Sequence, residues 1–459
     1  MTGIERLREL LDGDVLTADS PGYDRERRPE NRAFRDTLPA LIVLCRSEED
    51  VVRAIAYARS TGLRLVPRGG GHCFAGRSST EGIVLDLSAL NEVAVHPDGT
   101  ALIGAGARLG AVYRALHVHG RTLPAGCGPS VGIAGLTLGG GIGLLGRAYG
   151  LTCDRLLGAR VVLADGSVVD CDAQNEPELF WALRGAGGGQ FGVVTSLRFS
   201  TLPEPAACRI EAHWRDIDPR AVLTAWQSWA PDAPDELTLN ATVERQPNGS
   251  GPRVHIDGAS TLSESRTREL LHEFASRAGR PTLLAVSEPM PYSALKDALS
   301  DDARSSSAES VRIRSEFFDR PIDDGAVSAL VSCLETGEGS RSRRLTFTAL
   351  AGAYTRVAET ATTFAHRGQR FLLEHAGTPD DPWTDTSWGL AHEHASGRVY
   401  PNFPDPALED PLRAYHGANG PRLSAVKQRY DPRRFFDFPQ AVPPAGAERP
   451  TENTKEVHP

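Results

Sequence analysis

Residues 123–154 read LPAGCGPSVGIAGLTLGGGIGLLGRAYGLTCD, and this segment sets the expectations for the whole chain. Ten of its 32 residues are glycine, a density too costly in chain entropy for ordinary helix or strand. Glycine suits a backbone that must run close to a flat or charged ligand, because no side chain then separates the amide N–H groups from that ligand. Cys127 lies within this segment, in a Pro-Ala-Gly-Cys-Gly-Pro turn. The segment therefore predicts a binding surface made of backbone.

Two further glycine-rich loops flank this segment. The upstream loop is RGGGHCFAG at residues 68–76, which carries His72, and the downstream loop lies in WALRGAGGGQFGVVT at residues 181–195. One such loop is weak evidence, whereas three in succession are a much stronger indication of a ligand site. The upstream loop opens no helix and lacks the G-x-G-x-x-G spacing with a downstream acid, which argues against a nicotinamide site of the Rossmann type.

Together with AVKQRYDPRRFFDF at residues 425–438, these segments resemble the FAD-linked oxidases of the berberine bridge enzyme-like family, within the vanillyl-alcohol-oxidase group of PCMH-type flavoproteins. The resemblance runs from near the start of the chain to near its end. It implies an α+β fold, in which a two-subdomain PCMH-type FAD-binding domain joins a substrate domain with an antiparallel sheet covered by helices. In this family the histidine of the first motif bonds to the flavin 8α-methyl group, and the cysteine of the second bonds to flavin C6. The resemblance therefore implies a bicovalent FAD on His72 and Cys127.

The resemblance also implies which other residues bind the cofactor. Backbone N–H groups of the glycine loops are expected to hold the pyrophosphate, with Arg68 as a phosphate partner. Asn402 resembles the asparagine of the family's Tyr-x-Asn-Tyr motif, which lies beside the isoalloxazine ring. The expected cofactor-binding residues are Arg68, Gly69, Gly70, Gly71, His72, Gly76, Cys127, Val131, Gly132, Gly135, Gly139, Gly140, Gly141, Gly143, Asp154, Val194, Tyr400 and Asn402.

The same motif departs from the family at Phe403. In many sugar and polyketide oxidases of the family a tyrosine at this position assists deprotonation of the substrate hydroxyl, and phenylalanine cannot accept a proton. Either another residue is the base, or the substrate needs none; a base must reach the substrate proton and have a suitable pKa. The candidate catalytic residues are Glu374 and His375, on a strand predicted at 370–375, and Tyr400. Glu374 could equally be a solvated strand residue, and Tyr400 could simply wall the flavin.

The order of predicted elements divides the chain into four parts. A strand at 38–45, a helix with a capping box from Ser47 to Gly62 and a strand at 63–67 indicate a small α/β unit, followed by hairpins at 93–103 and 158–170. The middle region is expected to contain helices near 219–229, 262–278, 292–300 and 322–335 and strands near 236–244, 310–318, 344–350 and 370–375. The four parts are an FAD-binding domain at 1–205, a substrate-binding domain at 206–399, a segment returning to the FAD domain at 400–442 and a disordered tail at 443–459.

Composition excludes several classes of function. The net charge of −9 provides no basic footprint for nucleic acid. The seven cysteines form no C-x-x-C pair, and His392 and His394 lack the i, i+4 spacing of a zincin helix, so no metal is expected. The N-terminus is a charged amphipathic helix without a signal-peptide apolar run, and no segment approaches the roughly 20 apolar residues that cross a bilayer. A cytoplasmic location is therefore expected.

The resemblance implies an FAD-dependent oxidase. Such an enzyme transfers hydride from a carbon bearing a hydroxyl or an amine, on a sugar or a secondary metabolite, to the flavin, which O2 reoxidises with release of hydrogen peroxide. Two alternatives remain: a flavin-dependent oxidative cyclase or aromatising enzyme of secondary metabolism, and a non-catalytic flavoprotein that sequesters a drug-like molecule. The expected partners are a small-molecule substrate and O2, and the oligomeric state is left open.

Overall fold

A computed structural model describes residues 3–215, 217–245, 251–304, 311–336 and 341–447. The helices are α1 (Gly3–Leu10), α2 (Tyr23–Glu26), α3 (Glu48–Thr61), α4 (Leu109–His117), α5 (Ile133–Leu138), α6 (Gly146–Tyr149), α7 (Pro177–Leu183), α8 (Pro219–Trp229), α9 (Glu264–Ala278), α10 (Tyr292–Arg304), α11 (Asp324–Glu335), α12 (Trp383–His392), α13 (Pro411–His416) and α14 (Gly420–Tyr430). The strands are β1 (Asp14–Leu16), β2 (Leu41–Leu44), β3 (Leu65–Arg68), β4 (Ile83–Asp86), β5 (Val93–Val95), β6 (Thr100–Gly104), β7 (Arg121–Thr122), β8 (Leu156–Val162), β9 (Val168–Asp172), β10 (Val193–Ser200), β11 (Leu202–Pro203), β12 (Ala206–Trp214), β13 (Leu237–Glu244), β14 (Arg253–Ser260), β15 (Leu283–Val286), β16 (Met290–Pro291), β17 (Arg312–Phe318), β18 (Arg343–Ala349) and β19 (Phe371–Gly377).

A small α/β sheet carries the first glycine loop. Its strand order is β1-β2-β4-β3, with β2, β4 and β3 parallel and β1 antiparallel at the edge. The connecting helix α3 begins at the predicted capping box, in which Ser47 Oγ accepts the N–H of Asp50 and the Asp50 carboxylate accepts the N–H of Ser47. It ends at Gly62, whose φ of 70° favours glycine. Strand β3 then leads directly into the His72 loop.

A second sheet is antiparallel and frames the long glycine segment. Its strand order is β5-β6-β10-β8-β9, and both predicted hairpins are confirmed as the pairs β5–β6 and β8–β9. The segment 123–154 runs between β7 and β8, interrupted by the short helices α5 and α6. Apolar side chains of the first two sheets, with α3, α4 and α7, share one continuous core.

The third sheet is antiparallel and has helices on one face. Seven of its eight strands follow the order β15-β12-β14-β13-β18-β19-β17, and β16 pairs with β12. Helices α8, α9, α11 and α12 pack on one face, where Leu239, Ala241 and Val243 of β13 join a second core. Because side chains alternate along a strand, Thr238 and Asn240 point to the opposite face. The sheet therefore has one apolar face under helices and one polar face. The predicted α+β fold is confirmed.

Two segments connect the sheet domain to the first core. Helix α10 lies within the predicted substrate domain, but it packs on α4, and its Tyr292 and Leu295 belong to the first core. Helix α14 packs on α7, and its Leu423 and Val426 belong to the same core. The chain therefore returns twice to the glycine-rich half.

The predicted tail at 443–459 needs correction at its start. Residues 443–447 are described, and the N–H of Ala445 donates to the carbonyl of Ser424 on α14 at 3.0 Å. This contact fixes the beginning of the segment against the last helix. Residues 448–459 lie outside the described part of the chain.

Six helices and strands of the second half have no counterpart among the predicted elements, and they include the short strands β15 and β16. Strands β12 and β14 occupy neighbouring positions in the third sheet but were not predicted, although the buried positions of β12 alternate. Helices α12 and α13 were also missed, since both are short and carry polar residues on most faces. The strands and helices that were predicted in this half are present, with ends shifted by a few residues.

Candidate active site

A cavity of about 480 Å³ lies between the glycine-rich segments and the polar face of the third sheet. Its first wall consists of backbone and small side chains from the three glycine loops. Its second wall consists of side chains from β13, β18 and β19. The second wall contributes Thr238, Asn240, Thr348, Leu372 and Glu374. We call these two surfaces the glycine wall and the sheet wall.

Two loops of the glycine wall are in direct backbone contact with each other. A Cβ placed on Gly70 would lie 2.2 Å from the backbone nitrogen of Gly132, and one on Gly132 would lie 2.5 Å from that of Gly70. No side chain can occupy either position without separating the loops. The contact therefore fixes the His72 loop against the segment that carries Cys127.

His72 lines the cavity with an unused ring nitrogen. Among the described residues its Nε2 is buried and has no hydrogen-bond partner. Burial lowers the pKa of His72, with Arg108 acting in the same direction and Glu30 and the Ser130 carbonyl opposing. The imidazole is therefore favoured in its neutral form, which has a lone pair available for bond formation.

Cys127 is the exposed member of the seven cysteines, all of which lie in the described part of the chain. It lines the same cavity as His72. Behind it, Nζ of Lys296 from α10 lies 3.1 Å from its Sγ. The sequence marked Cys127 through its motif but gave no indication of the lysine.

The glycine wall fits the FAD that the sequence resemblance implies. A Cβ on Gly135 or Gly187 would meet no atom within 4 Å, so each of these glycines faces open space. Leucine-sized side chains there would fill the cavity, whereas glycine leaves the backbone free to approach a flat ring or a phosphate. His72 and Cys127 lie where they could be attached to such a ligand. The donor set and the open space are therefore those a covalently held flavin nucleotide requires.

Most expected cofactor-binding residues line the cavity, but several do not. Those that line it are Gly69, Gly70, Gly71, His72, Cys127, Val131, Gly132, Gly135, Gly143, Val194, Tyr400 and Asn402. Those that do not are Arg68, Gly76, Gly139, Gly140, Gly141 and Asp154. Each of these six has a structural role instead.

Arg68 does not reach the cavity. Its guanidinium is buried and donates to the carbonyls of Ser78 at 2.9 Å, Glu26 at 2.7 Å and Arg27 at 3.1 Å. These contacts use its donors to join the loop to the C-terminal end of α2. The predicted role as a phosphate partner is therefore wrong for this geometry.

Asp154 likewise faces a protein partner. Both of its carboxylate oxygens accept from Arg367, at 2.7 and 2.8 Å, and Oδ2 also accepts the N–H of Leu151. Such bidentate pairing leaves the carboxylate little capacity for a ligand. The prediction that Asp154 binds the cofactor is therefore wrong for this geometry. Asp154 instead joins the glycine segment to Arg367.

The remaining glycines allow close packing behind the wall. A Cβ would lie 2.1 Å from Asn402 Oδ1 at Gly139, 2.7 Å from Phe364 at Gly140, 2.3 Å from Thr152 Oγ1 at Gly141 and 2.5 Å from Phe34 at Gly76. These four positions therefore support the wall without lining it.

Glu374 and His375 lie on opposite faces of β19. Glu374 lines the cavity and accepts from Arg344 Nη2 at 3.1 Å. His375 is fully buried on the helix side, where its Nδ1 shares a hydrogen bond of 2.9 Å with Ser387 Oγ of α12. Burial lowers the pKa of His375 to about 3, and Arg314 adds to the shift. The prediction of His375 as a catalytic residue is therefore wrong, because its side chain lies on the helix-covered face of β19 and the cavity lies on the other face.

Tyr400 and Asn402 lie at the junction of the two walls. Tyr400 Oη accepts from the N–H of Ile142 at 3.1 Å and from Asn402 Nδ2 at 3.0 Å, while Asn402 Nδ2 also donates to the Leu136 carbonyl. Burial raises the pKa of Tyr400, which these donors only partly oppose. The buried phenol thus binds the glycine segment and favours its neutral form, which suits a wall residue better than a base.

Phe403 contributes a ring to the same junction. Its centroid lies 5.1 Å from that of Tyr400 and 5.5 Å from that of Phe74, both in edge-to-face arrangements. The three rings close the cavity beside the His72 loop. The departure from the family's tyrosine therefore places an apolar edge where a hydroxyl is expected.

Apart from Glu374, the residues of the sheet wall were not predicted from the sequence. Asn240 lines the cavity with a buried Oδ1 that has no partner among the described residues, and Thr348 pairs with it across β13 and β18. The available signal was the two-residue alternation of Thr and Asn in LTLNATVE and of Thr in RRLTFTA. That alternation indicates a polar face, but it does not say what the face covers.

Two further features concern metals and membranes. Within the described ranges, no group of three or more His, Cys, Asp and Glu side chains could hold a metal ion. His392 Nδ1 instead contacts Glu316 at 2.7 Å, and His394 contacts Asp323 at 3.3 Å. No helix in the described part of the chain has the length and apolar character needed to span a bilayer.

Comparison with known proteins gives matches at both ends and along the whole chain. The family described as "FAD binding domain" matches residues 39–172, and that described as "Berberine and berberine like" matches residues 399–443. The uncharacterized FAD-linked oxidoreductase YgaK of Bacillus subtilis (strain 168) is 34% identical over 448 residues, which cover 95% of this chain and 97% of that protein.

Solved structures extend the likeness to the fold. The berberine bridge enzyme-like protein 1 of Physcomitrella patens has a TM-score of 0.87 at 26% identity, covering 96% of this chain and 99% of that one. The glucooligosaccharide oxidase of Acremonium strictum, which carries 6-S-cysteinyl, 8α-N1-histidyl FAD, has a TM-score of 0.86 at 25% identity, covering 96% and 99%. These matches confirm the resemblance found in the motifs. The chain therefore belongs to the berberine bridge enzyme-like family of FAD-linked oxidoreductases.

Proposed function

We propose that this protein is an oxidase that removes hydride from a hydroxyl-bearing carbon of a sugar-like or related polyhydroxylated metabolite. FAD attached to both His72 and Cys127 supplies the two-electron acceptor, which O2 reoxidises with release of hydrogen peroxide. The observation that carries the proposal is the pairing of two attachment side chains on one wall with a carboxylate, Glu374, on the facing wall.

Attachment through two residues is supported by the glycine wall. His72 offers a neutral imidazole with a buried, unpartnered nitrogen, and Cys127 offers an exposed thiol in the same cavity. Two anchors would hold a ring in place without side chains stacked around it. The open space beside Gly135 and Gly187 is consistent with that arrangement.

Glu374 is the residue we assign as general base. Its carboxylate lies on the cavity side of β19, and Arg344 holds it in position through the 3.1 Å contact. In this role Glu374 accepts the proton of the substrate hydroxyl while the hydrogen on the same carbon leaves as hydride. Tyr400 and Phe403 are then wall residues, which explains why a phenylalanine is tolerated at the position of the family's tyrosine.

The sheet wall supports a hydroxyl-rich substrate. Thr238, Asn240 and Thr348 present small polar groups toward the cavity, and Asn240 Oδ1 is an acceptor without a partner among the described residues. A substrate hydroxyl can donate to Asn240 Oδ1, whereas a purely apolar metabolite would leave this buried acceptor unpaired at a cost of about 1–3 kcal/mol. Thr238 Oγ1 already donates to the Leu144 carbonyl at 2.8 Å, which leaves its lone pairs available to a substrate hydroxyl. The polarity of this wall therefore favours alcohol oxidation over the amine and cyclisation chemistries.

The test is anaerobic reduction of the purified flavoprotein by a panel of mono- and oligosaccharides, with alkaloid-type amines and polyketide alcohols for comparison. We expect bleaching of the oxidised flavin spectrum by at least one carbohydrate, and hydrogen peroxide release once air is admitted. Bleaching by amines alone, or by no compound in a broad panel, would contradict the proposal in favour of a cyclising enzyme or a binding protein.

The same assay tests Glu374. Glu374→Gln should slow flavin reduction by about 10²-fold or more, because the base is removed while the shape of the side chain is kept. The matched control is His375→Gln on the opposite face of the same strand, which should reduce at the wild-type rate. Equal rates for Glu374→Gln and wild type would remove Glu374 from the mechanism.

A further inference from the structure

Lysine is rare in this chain, and the two lysines in its described part are both buried. Only three of the 50 basic residues are lysines, at positions 296, 427 and 455. Lys296 is 2% exposed and Lys427 is 0% exposed. In a sequence that otherwise uses arginine, a buried lysine indicates a place where a compact charge, and not a planar fork of donors, is required.

Lys427 shows what such a position does when its role is structural. Its Nζ donates to Asp431 Oδ2 at 2.7 Å and to the carbonyls of Gln190 and Phe436. A carboxylate and two carbonyls satisfy the ammonium group and join α14 to the third glycine loop. Lys427 therefore has a complete structural explanation.

Lys296 has different neighbours. Its Nζ lies 3.1 Å from Cys127 Sγ, 3.1 Å from the Gly126 carbonyl and 3.3 Å from the Ala125 carbonyl. The same ammonium group lies over the rings of Tyr113 and Tyr292, 5.2 and 5.0 Å from their centroids. Aromatic faces and carbonyl oxygens both stabilise a cation. The thiol that faces the cavity thus has a buried cation directly behind it.

The charge of Lys296 is maintained despite burial. Burial by itself lowers the pKa of a lysine, but here the Cys127 sulfur and the Tyr113 phenol raise the pKa of Lys296 above its ordinary value. The phenol of Tyr113 is held in place, since its Oη donates to the Gly126 carbonyl at 2.9 Å. The cluster is therefore arranged to keep an ammonium group beside the sulfur.

We propose that the ammonium group of Lys296, 3.1 Å from Cys127 Sγ, stabilises negative charge on this sulfur as it bonds to flavin C6; this inference rests on the attachment proposed above. The thiolate, not the thiol, is the nucleophilic form of cysteine, and an adjacent cation stabilises it. Lys296 comes from α10, outside the three glycine loops. A helix of the middle region thus contributes to attachment of the cofactor in the glycine-rich half.

The step balances with molecular oxygen as the oxidant. The thiol proton passes to solvent, because the ammonium group of Lys296 is already fully protonated; the sulfur would then form a bond to C6, and the hydrogen on C6 would leave as the second proton needed for hydrogen peroxide. The two electrons released by this substitution reduce the ring, and O2 accepts them to give hydrogen peroxide. The overall reaction converts one thiol, one flavin C–H bond and one O2 into one C–S bond and one H2O2. Lys296 then retains the carbonyls of Ala125 and Gly126 as partners.

The experiment measures flavin on each attachment peptide of the purified protein. Trypsin releases His72 within residues 69–77 and Cys127 within residues 122–147, so mass spectrometry reports the two bonds separately. The test variant is Lys296→Gln, which keeps a donor for the carbonyls but removes the charge, with Lys296→Met as a second variant if the first does not fold. Asp297→Asn is the control, since it changes the charge of α10 by one unit at an exposed position.

We expect Lys296→Gln to keep flavin on His72 and to lose at least four-fifths of the flavin on Cys127. Incubation of this variant in air at pH 9.5 should restore the missing bond over hours, because hydroxide replaces the lysine in favouring the thiolate. Asp297→Asn should carry both bonds in full. A complete Cys127 bond in the variant at neutral pH, or a deficit that high pH does not repair, would overturn the inference.

The wild-type protein separates this inference from the function on which it rests. If wild type lacks flavin on residues 122–147, the attachment at Cys127 is wrong and the role of Lys296 falls with it. If wild type and Lys296→Gln both carry the bond, the attachment stands and only the role of Lys296 is overturned.

Discussion

The two walls of the cavity are built from different parts of the polypeptide. The glycine wall consists of backbone. Its loops are in direct contact, as at Gly70 and Gly132, where there is no room for a side chain. The sheet wall is made of side chains on an ordinary antiparallel sheet, where each strand offers every second residue. A backbone wall leaves few choices of residue at each position. A side-chain wall can be changed without disturbing the strands that carry it.

This difference assigns separate tasks to the walls. The glycine wall fits a ligand that is the same throughout a family, and the chain matches known FAD-binding domains over residues 39–172. The sheet wall lies outside both matched family regions, at residues 238–240, 348 and 372–374. We therefore expect substitutions in the first wall to affect folding and cofactor content, and substitutions in the second to affect substrate.

The largest effect is expected when the glycine wall is broken. Gly70→Ala places a Cβ about 2 Å from the Gly132 backbone nitrogen, and backbone cannot move aside as a side chain can. We expect a loss of about 3 kcal/mol or more in the free energy of unfolding, together with loss of bound flavin. Denaturant unfolding and the flavin absorbance of the purified protein measure both. Gly389→Ala is the control, since its Cβ meets nothing within 4 Å, and a Gly70→Ala protein as stable as this control would refute the account of the wall.

The next effect is on the pH dependence of stability, and it arises from His375 on the helix-covered face of β19. His375 has a pKa of about 3 in the folded protein against about 6.5 when unfolded, so its contribution to stability is present above pH 6.5 and is lost as the pH falls toward 3. Between pH 7 and pH 4.5 this histidine alone should cost about 2–3 kcal/mol of unfolding free energy. His375→Gln should therefore flatten the acid side of the stability profile measured by denaturant unfolding. A variant with the same pH dependence as wild type would show that His375 is not the buried neutral group described above.

A smaller effect is expected in the sheet wall. Asn240→Ala removes an amide that lines the cavity, and the loss of one hydrogen bond of about 1.4 kcal/mol corresponds to a tenfold weaker binding of substrate. Flavin content on both attachment peptides should be unchanged. The control is Thr242→Val on the same face of β13, at a buried position that does not line the cavity. Loss of flavin from Asn240→Ala, with substrate affinity intact, would reverse the tasks assigned to the walls.

The smallest effect is expected at the junction of the walls. Phe403→Tyr adds a hydroxyl beside Tyr400, but the base we assign is Glu374 on the sheet wall. The rate of anaerobic flavin reduction should therefore change by less than about threefold. A tenfold gain, or rescue of Glu374→Gln by this second substitution, would return the role of base to residue 403.

The sequence indicated which loops line this side of the cavity, because backbone that lacks side chains leaves a dense glycine pattern, and the cofactor-binding role of these residues stays a prediction. It misplaced Arg68 and Asp154, whose side chains lie within motif segments but turn toward Glu26 and Arg367. A motif fixes where the backbone runs, and the direction of a long side chain depends on neighbours far along the chain.

The sheet wall was predicted only in part. Neighbouring strand residues point to opposite faces, so Glu374 and His375 could not both reach the substrate, and only the register of β19 with β17 and β18 decides between them. Lys296 was missed because its partner Cys127 lies 169 residues away in the chain. The rarity of lysine was visible in the sequence, but its meaning required the packing of α10 on α4.

The most direct test of the central claim is to denature the purified protein in acid, centrifuge it and follow the yellow colour. Attachment at His72 and Cys127 predicts that the colour stays in the pellet for wild type, for His72→Ala and for Cys127→Ala, and moves to the supernatant only in the double variant. Colour in the wild-type supernatant would contradict the claim that this cavity holds its flavin by covalent bonds.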